Sequence, residues 1–374
     1  MALLIGPTVP LPALPPLGES LKYVEIFHSD SGRSGFQISF SADRSGLFGA
    51  LDYPIHKSPQ LKEFNRVVLT MIFNSPIPSV IIDGIITNLQ LTAGSETGDY
   101  ITITGEDVSV MMDMEEKIAE HPGQPELAIA NKIIVTYAKY GLIPKVIPPP
   151  SVDIPLPIDR IPIQHGTDFG YLNEMAERYG YIFYIDSGPV PGVNTAYWGP
   201  PVRLGIPQPA ITYNMGSDSN VENIHFENNA LAPVKVEGDV QDKVLNKKLP
   251  IMTFMPKRTP LSRKPSFLTN AMNIRKVLPE SVSGLKVTGA LSRAQGMTDA
   301  SVDSVVTAKG EIDSMKYGGI LKARSIVGLR GVGDTYDGMY YVKEVKHKIG
   351  IGSYKQEFTL TRDGTGSITP FVRP

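Results

Sequence analysis

The sequence predicts a mostly β chain of α+β class, with two barrel- or sandwich-like β domains separated by inserted helices and linkers. Three observations predict it. Segments alternating with period two lie near both ends, a central stretch switches to helical spacing, and the two β regions match each other.

The elements follow in order along the chain. Residues 1–19 are expected as an extended arm, partly polyproline II, that docks on a neighbour or is mobile. Met1-Ala-Leu-Leu-Ile-Gly6 has no basic n-region, and five prolines between Pro7 and Pro16 break any signal-peptide core. Residues 20–114 read as a first β domain. Phe36–Phe40 alternates, and Val67–Phe73 is a buried-strand candidate. Ile85, Thr87, Leu89 and Leu91 are expected on one face, with Ile86, Asn88 and Gln90 on the other. Thr92–Gly98 reads as a hairpin loop before Tyr100–Thr104.

Residues 115–230 read as an inserted helical and mixed α/β region. Pro125 starts a helix over about 125–140, with Leu127, Ala130, Ile134 and Tyr137 at helical spacing and Gly141 as its cap. Prolines from Pro144 to Pro162 exclude helix interior and central strand, and predict a surface linker. A second helix begins at a Thr167 or Asp168 cap, ends at Gly180, and runs directly into the strand Tyr181–Ile185. Short strands are expected at Ala210–Tyr213 and Val221–Phe226. Residues 231–365 read as a second β domain with Val234–Val240, a long polar loop, a short helix at 266–277 and returning strands from 318. There Met339, Tyr341, Val345, His347 and Ile349 share a face interrupted by Lys343. Residues 366–374 form a tail.

The two β regions align. Asp83-Gly84 matches Asp337-Gly338, Ile85–Leu91 falls without a gap on Met339–Val345, and Val67–Phe73 falls on Leu321–Val327. Ile101–Thr104 matches Phe358–Thr361 across a longer second hairpin. Three successive strands keeping their spacing argue for two copies of one unit.

Composition bounds the chemistry. The 374 residues are 41% apolar and 20% charged with net charge −2, so no general attraction to nucleic acid or anionic membrane is expected. Without cysteines there is no disulfide or thiolate chemistry. No nucleophile elbow, His-Glu-x-x-His or phosphate loop is present, and Gly328–Gly333 has the wrong spacing for a dinucleotide loop. His347 reads as a satisfied strand residue and His165 as part of a helix start. Met111–Glu116 reads as a solvated acidic stretch, Trp198 as a core or interface aromatic, and Lys257–Lys264 as a solvated basic loop. No residue is assigned a catalytic, cofactor-binding or metal-ligating role, and no cofactor is expected.

Three stretches together resemble the phage late-control D proteins, the central hub proteins of contractile-tail baseplates, and the N-terminal hub region of VgrG spikes. They are Ile82–Leu89 with Ile103–Asp107, Gln164–Tyr184, and Gly331–Arg362. The resemblance spans about residues 20–365 and implies two tube-protein-like β domains. It implies a non-enzymatic hub, a homotrimer whose pseudo-six-fold ring joins the hexameric tail tube ring to a separate spike protein, with other baseplate proteins around it. No nucleic-acid specificity is implied. The location would be a virion or extracellular injection particle, assembled in the bacterial cytoplasm. Alternatives left open are a tail-associated glycan or cell-wall hydrolase and the hub module of a non-contractile tail tip.

Overall fold

A computed structural model describes all residues except 43–52, 54, 56–57, 74–77, 95–97, 159, 243–246, 281, 283 and 370–374. The hairpin tip at 95–97 and the end of the expected tail lie outside the described residues.

The dominant element is a sheet of 13 strands. Its strands form where β-branched and aromatic residues alternate with polar ones. In Gly35–Ser41, Phe36, Ile38 and Phe40 are buried while Gln37 and Ser39 point the other way. Twelve of these strands fall into two units. The first unit comprises Ala2–Gly6, Leu21–Ser29, Gly35–Ser41, Arg66–Met71, Ser79–Thr92 and Tyr100–Asp107. The second comprises Gln208–Thr212, Val221–Asn228, Val306–Asp313, Ile326–Arg330, Gly338–Gly350 and Ser353–Arg362. Numbered one to six in chain order, both units show the spatial order 2-3-6-5-4-1.

The registers agree as well. Between strands two and three, a bulge separates Leu21/Phe40 from Tyr23/Ser39 in the first unit. It separates Val221/Ile312 from Asn223/Glu311 in the second. Between strands five and six, a bulge separates Ile86/Gly105 from Asn88/Thr104, and Val342/Leu360 from Glu344/Thr359. Two bulges at matching places in one strand order are the mark of a duplicated unit. The first strands differ, since Ala2–Gly6 runs antiparallel to its neighbour and Gln208–Thr212 parallel.

The bulges correct the sequence alignment. Each inserts one residue, Thr87 or Lys343, so the side-chain alternation flips there. Ile86 and Leu89 therefore face one core, and so do Val342 and Val345, while Met339 and Tyr341 join a separate small cluster. Ile86 is the counterpart of Val342, where the gapless alignment placed Tyr340. Asp83-Gly84 lies inside its strand, whereas Gly338 begins its own. The strand expected at Leu321–Val327 is Ile326–Arg330.

Each unit has its own core, one built on residues such as Ile38, Val67 and Ile103, the other on Val306, Val327 and Leu360. The sheet is nonetheless continuous. Beyond its bulge, Gly338–Gly350 pairs with Leu21–Ser29, from Glu344/Ser29 to Gly350/Tyr23. Ile349 and Tyr354 of the second unit sit in the first unit's core.

Other expectations change. Residues 1–19 are no extended arm: Ala2–Gly6 is a strand paired with Arg66–Met71 on one side and with the short edge strand Leu11–Pro12 on the other, Ile5 is 1% exposed, and Pro15–Glu19 is a helical turn burying Leu17. Burial of Leu3, Ile5 and Leu17 outweighs the prolines, which fall in the turn, in the edge strand Leu11–Pro12 and at the helix start. Gln208–Thr212 and Val221–Asn228, placed in the inserted region from the sequence, pair within the second unit. The polar stretch after 231 holds a further small unit. There Val234–Asp242, Lys247–Met252 and Arg275–Val277 pack against the helix Val287–Ser301. The helix expected at 266–277 is only Ser266–Thr269 and a 3-10 turn at Ala271–Asn273.

Between the units, the helices Glu126–Thr136 and Asp168–Glu177 cover a three-stranded sheet of Ile182–Ser187, Asn194–Gly199 and Leu142–Val146. Thr167 is the cap of the second helix, accepting from the Gly170 amide at 3.1 Å. Pro144 sits in the edge strand, where no amide is needed.

Candidate functional site

Duplication and bulging leave the large sheet with one apolar and one polar face. A row of paired residues crosses both units on the polar face: Asn88, Thr104, Gln37, Glu25, Lys348 and Lys355. Ion pairs lace the row together. Lys346 meets Glu25 at 3.0 Å, Lys355 meets Glu311 at 2.9 Å and Glu222 at 3.6 Å, and Lys348 pairs with Glu357 and Glu311. The hydrogen bond from Lys355 holds the Glu311 carboxyl below its ordinary range, and the bond to Glu357 raises Lys348. A shallow cleft of about 510 Å³ opens on this face beside Phe27, His225, Lys309 and Thr359. Such a surface can contact water, a polar chain or a neighbouring protein.

Beneath it, the seam between the units is polar and buried. Arg324, with φ of 64° and 7% exposed, donates to the Ser29 carbonyl at 2.9 and 2.7 Å, the Ser34 hydroxyl at 2.8 Å and the Ile185 carbonyl at 2.9 Å. Its guanidinium lies 4.0 Å from the Tyr184 ring centre. One side chain thus joins both β units and the region between them.

His28 and His347 meet edge to face at the same seam, centroids 5.3 Å apart. His347 Nδ1 lies 2.8 Å from the Tyr354 hydroxyl and 3.3 Å from Gln356 Nε2. Burial depresses both imidazoles, His347 to about 3. Burial also pushes the nearby Asp30 carboxyl up to about 6. Asp107 is raised by burial too, although it accepts from the Ser34 and Ser109 amides and the Ser109 hydroxyl.

Sequence reasoning missed Arg324, which fell inside the strand expected at Leu321–Val327 and in fact precedes the strand Ile326–Arg330. It also missed the role of Asp83, which served only to align the two β regions. Asp83 is 1% exposed, grips Arg66 through both oxygens at 2.6 and 2.9 Å, and accepts from the Gly192 amide and the Asn194 side chain. A glycine inside a strand was the available signal. A Cβ on Gly84 would stand 2.3 Å from the Glu106 carbonyl oxygen, so this position requires close backbone approach.

The other residues singled out are dispersed. His347 is a core histidine and His165 is exposed on the small strand Ile163–Gly166. Trp198 is fully buried, donating to the Leu172 carbonyl at 3.1 Å, so its ring offers no stacking platform. In the acidic stretch Asp113 binds Arg33 and accepts from Thr167, while Glu115 and Glu116 are exposed. In the basic stretch Arg258 is paired with Asp303 at 2.9 Å and Arg263 with Asp334 at 3.0 Å. Gly328–Gly333 ends a strand and begins a turn. Among the described residues, no group of three or more His, Asp or Glu is placed to hold a metal ion.

No family profile and no curated protein matches this sequence. Solved structures do. A tail protein from Neisseria meningitidis MC58 aligns over 98% of this chain and 96% of its own, with TM-score 0.63 and 12% identity. The 43 kDa tail protein of prophage MuSo2 from Shewanella oneidensis aligns over 97% and 99%, with TM-score 0.62 and 11% identity. The chain has the fold of these tail proteins. An E. coli component of the type VI secretion system, described as similar to the T4 tail proteins gp27 and gp5, aligns over 95% of this chain and 76% of its own. Its TM-score is 0.57 at 11% identity. Within this tail-protein fold, the six-strand units, the seam and the polar face are the features that two copies of one module create.

Proposed function

We propose that this chain is the structural hub of a contractile phage-tail-like baseplate. Three copies form a ring of six β units, whose two ends meet the hexameric tail tube and a trimeric spike, with other baseplate proteins at the periphery. The tube-like domains of this reading are the two six-strand units, and their joint polar face lines the channel. The particle is a virion or an extracellular injection device assembled in the bacterial cytoplasm, and the chain's role in it is non-enzymatic.

The observation that carries the reading is the repeated strand order with matching bulges, held in one sheet. A chain with two equivalent units converts three-fold into approximate six-fold symmetry, as a joint between a trimer and a hexamer requires. The similar structures described as tail and secretion proteins support the setting. Cryo-electron microscopy of the chain bound to its spike tests it: six like β units around a channel are expected, and a monomer on the spike would overturn it. A peptidoglycan zymogram separates the hydrolase alternative, where a cleared band lost on changing a single Asp or Glu would replace the hub reading. Neighbouring genes for a sheath separate the contractile tail from the non-contractile tail tip.

A further inference from the structure

The seam inside one chain specifies a second seam that the chain alone cannot make. Within the chain, the fifth strand of the second unit pairs past its bulge with the second strand of the first unit. The first unit has a fifth strand of the same build, Ser79–Thr92, with its bulge at Thr87. Among the described residues, no strand pairs with the outer side of residues 87–92. The second unit has the matching second strand, Val221–Asn228, which is the terminal strand of the sheet. The chain therefore has the two halves of one more seam, unjoined, one on the terminal strand Val221–Asn228 and the other on the outer half of Ser79–Thr92.

We propose that Val221–Asn228 of one copy pairs antiparallel with the outer half of Ser79–Thr92 of the next copy, in the register of the internal seam. This rests on the trimeric ring proposed above and specifies its contact. The bulges fix the correspondence: Asn88 answers to Glu344, and Asn223 to Tyr23. The internal pairs Lys346/Phe27 and His347/Ile26 then become Gln90/Glu227 and Leu91/Phe226 between copies.

Burial supports the pairing. His347 and Ile26 at the formed seam are 2% and 0% exposed. Their counterpart Leu91 is 39% exposed, and Phe226 is only partly buried. Both lie on the core side of the sheet, so pairing places a leucine against an aromatic ring and extends the apolar layer. Gln90 and Glu227 lie on the polar side, so their pairing continues the polar face from one copy to the next. Closing each edge with another copy also removes the open strands that a lone sheet leaves for indiscriminate pairing.

The cysteine-free sequence makes the test direct. Directly opposed residues in an antiparallel pair have Cα separations within disulfide range. The full-length double variant Gln90→Cys/Glu227→Cys, oxidised with copper-phenanthroline, should yield a covalent species of three chains. Neither single variant, nor the out-of-register pair Gln90→Cys/Asn223→Cys, should do so. Light scattering on the same samples separates the two claims. Three associated chains that never link overturn this pairing and leave the ring standing. Linked species of two, or open ladders of many, keep the pairing and overturn the trimer. A monomer that does not link overturns both. Leu91→Asp gives an independent readout. It should abolish association while leaving the circular dichroism and melting of the single chain unchanged, and a fully associated Leu91→Asp variant would count against the seam.

Discussion

Arg324 is a positively charged side chain taken out of water and satisfied almost wholly by carbonyl and hydroxyl oxygens of three chain regions. Its removal strands the Ser29 and Ile185 carbonyls in the interior. Arg324→Ala should therefore lower unfolding stability by about 3 kcal/mol, read from urea midpoints. Because the backbone there is left-handed, with φ of 64°, Arg324→Gly should be the less damaging of the two. Equal losses would remove the backbone from the explanation. The paired histidines give a pH signature. His347 titrates near 6.5 when unfolded and at about 3 when folded. Between these values the unfolded chain holds a proton that the folded chain does not, so stability falls as pH drops through that window. His28 acts with the same sign. Asp30, raised by burial to about 6, acts oppositely, since its folded form keeps a proton longer, and Asp107 shares that sign. Replacing the imidazole isolates its share: His347→Gln should gain on the wild type by about 2 kcal/mol between pH 7 and pH 5. A stability gap between the two proteins that does not change with pH would refute this.

Among the elements, the helix Val287–Ser301 was hidden in the sequence. Its residues are small and polar, with two glycines, so neither a strong apolar stripe nor good helix propensity marks it. It exists because small residues let it lie against a neighbour. A Cβ on Gly296 would stand 2.3 Å from the Tyr179 carbonyl carbon and 2.6 Å from its oxygen. Gly289 in the same helix has nothing nearer than 3.8 Å to such a Cβ. The two glycines therefore separate propensity from packing. Gly289→Ala should raise the melting temperature, contributing up to about 1 kcal/mol. Gly296→Ala should lower it, with a loss of about 2 kcal/mol as backbone is forced apart. Two changes of the same sign would mean that packing does not decide this helix. By contrast, the helix Asp168–Glu177 was legible. Its cap, apolar face and terminal glycine are all local signals, as is the aromatic strand that follows. The strands were legible by alternation, but not their faces beyond Thr87 and Lys343, because a bulge leaves no mark in composition.

Over the whole molecule, duplication was legible and its register was not. The Asp-Gly dipeptides that suggested the alignment serve different ends. Asp83 is an internal anchor, and Asp337 accepts from the Val332 amide in a turn. What the two units share is pairing order, a property of ladders between distant residues that no local pattern displays. The same order produces the continuous polar face, and its charges lead to the last prediction. Glu25, Glu222, Glu311 and Glu357 are laced to Lys346, Lys348 and Lys355, so the face is close to neutral and its field short-ranged. A channel lined this way would let a polyanion or an unfolded chain pass without holding it. The exposed pairs contribute little to stability, about 0–1 kcal/mol each, so neutralising the acids should leave the fold intact. Glu25→Gln/Glu222→Gln/Glu311→Gln/Glu357→Gln would unpair three ammonium groups, Lys346, Lys348 and Lys355, on one surface. Fluorescence anisotropy with duplex DNA should then show binding by the variant that weakens steeply from 50 to 200 mM salt, with slope set by the phosphates neutralised. The wild type should show none at either salt. DNA binding of equal strength by both proteins would mean that charge pairing does not govern this face.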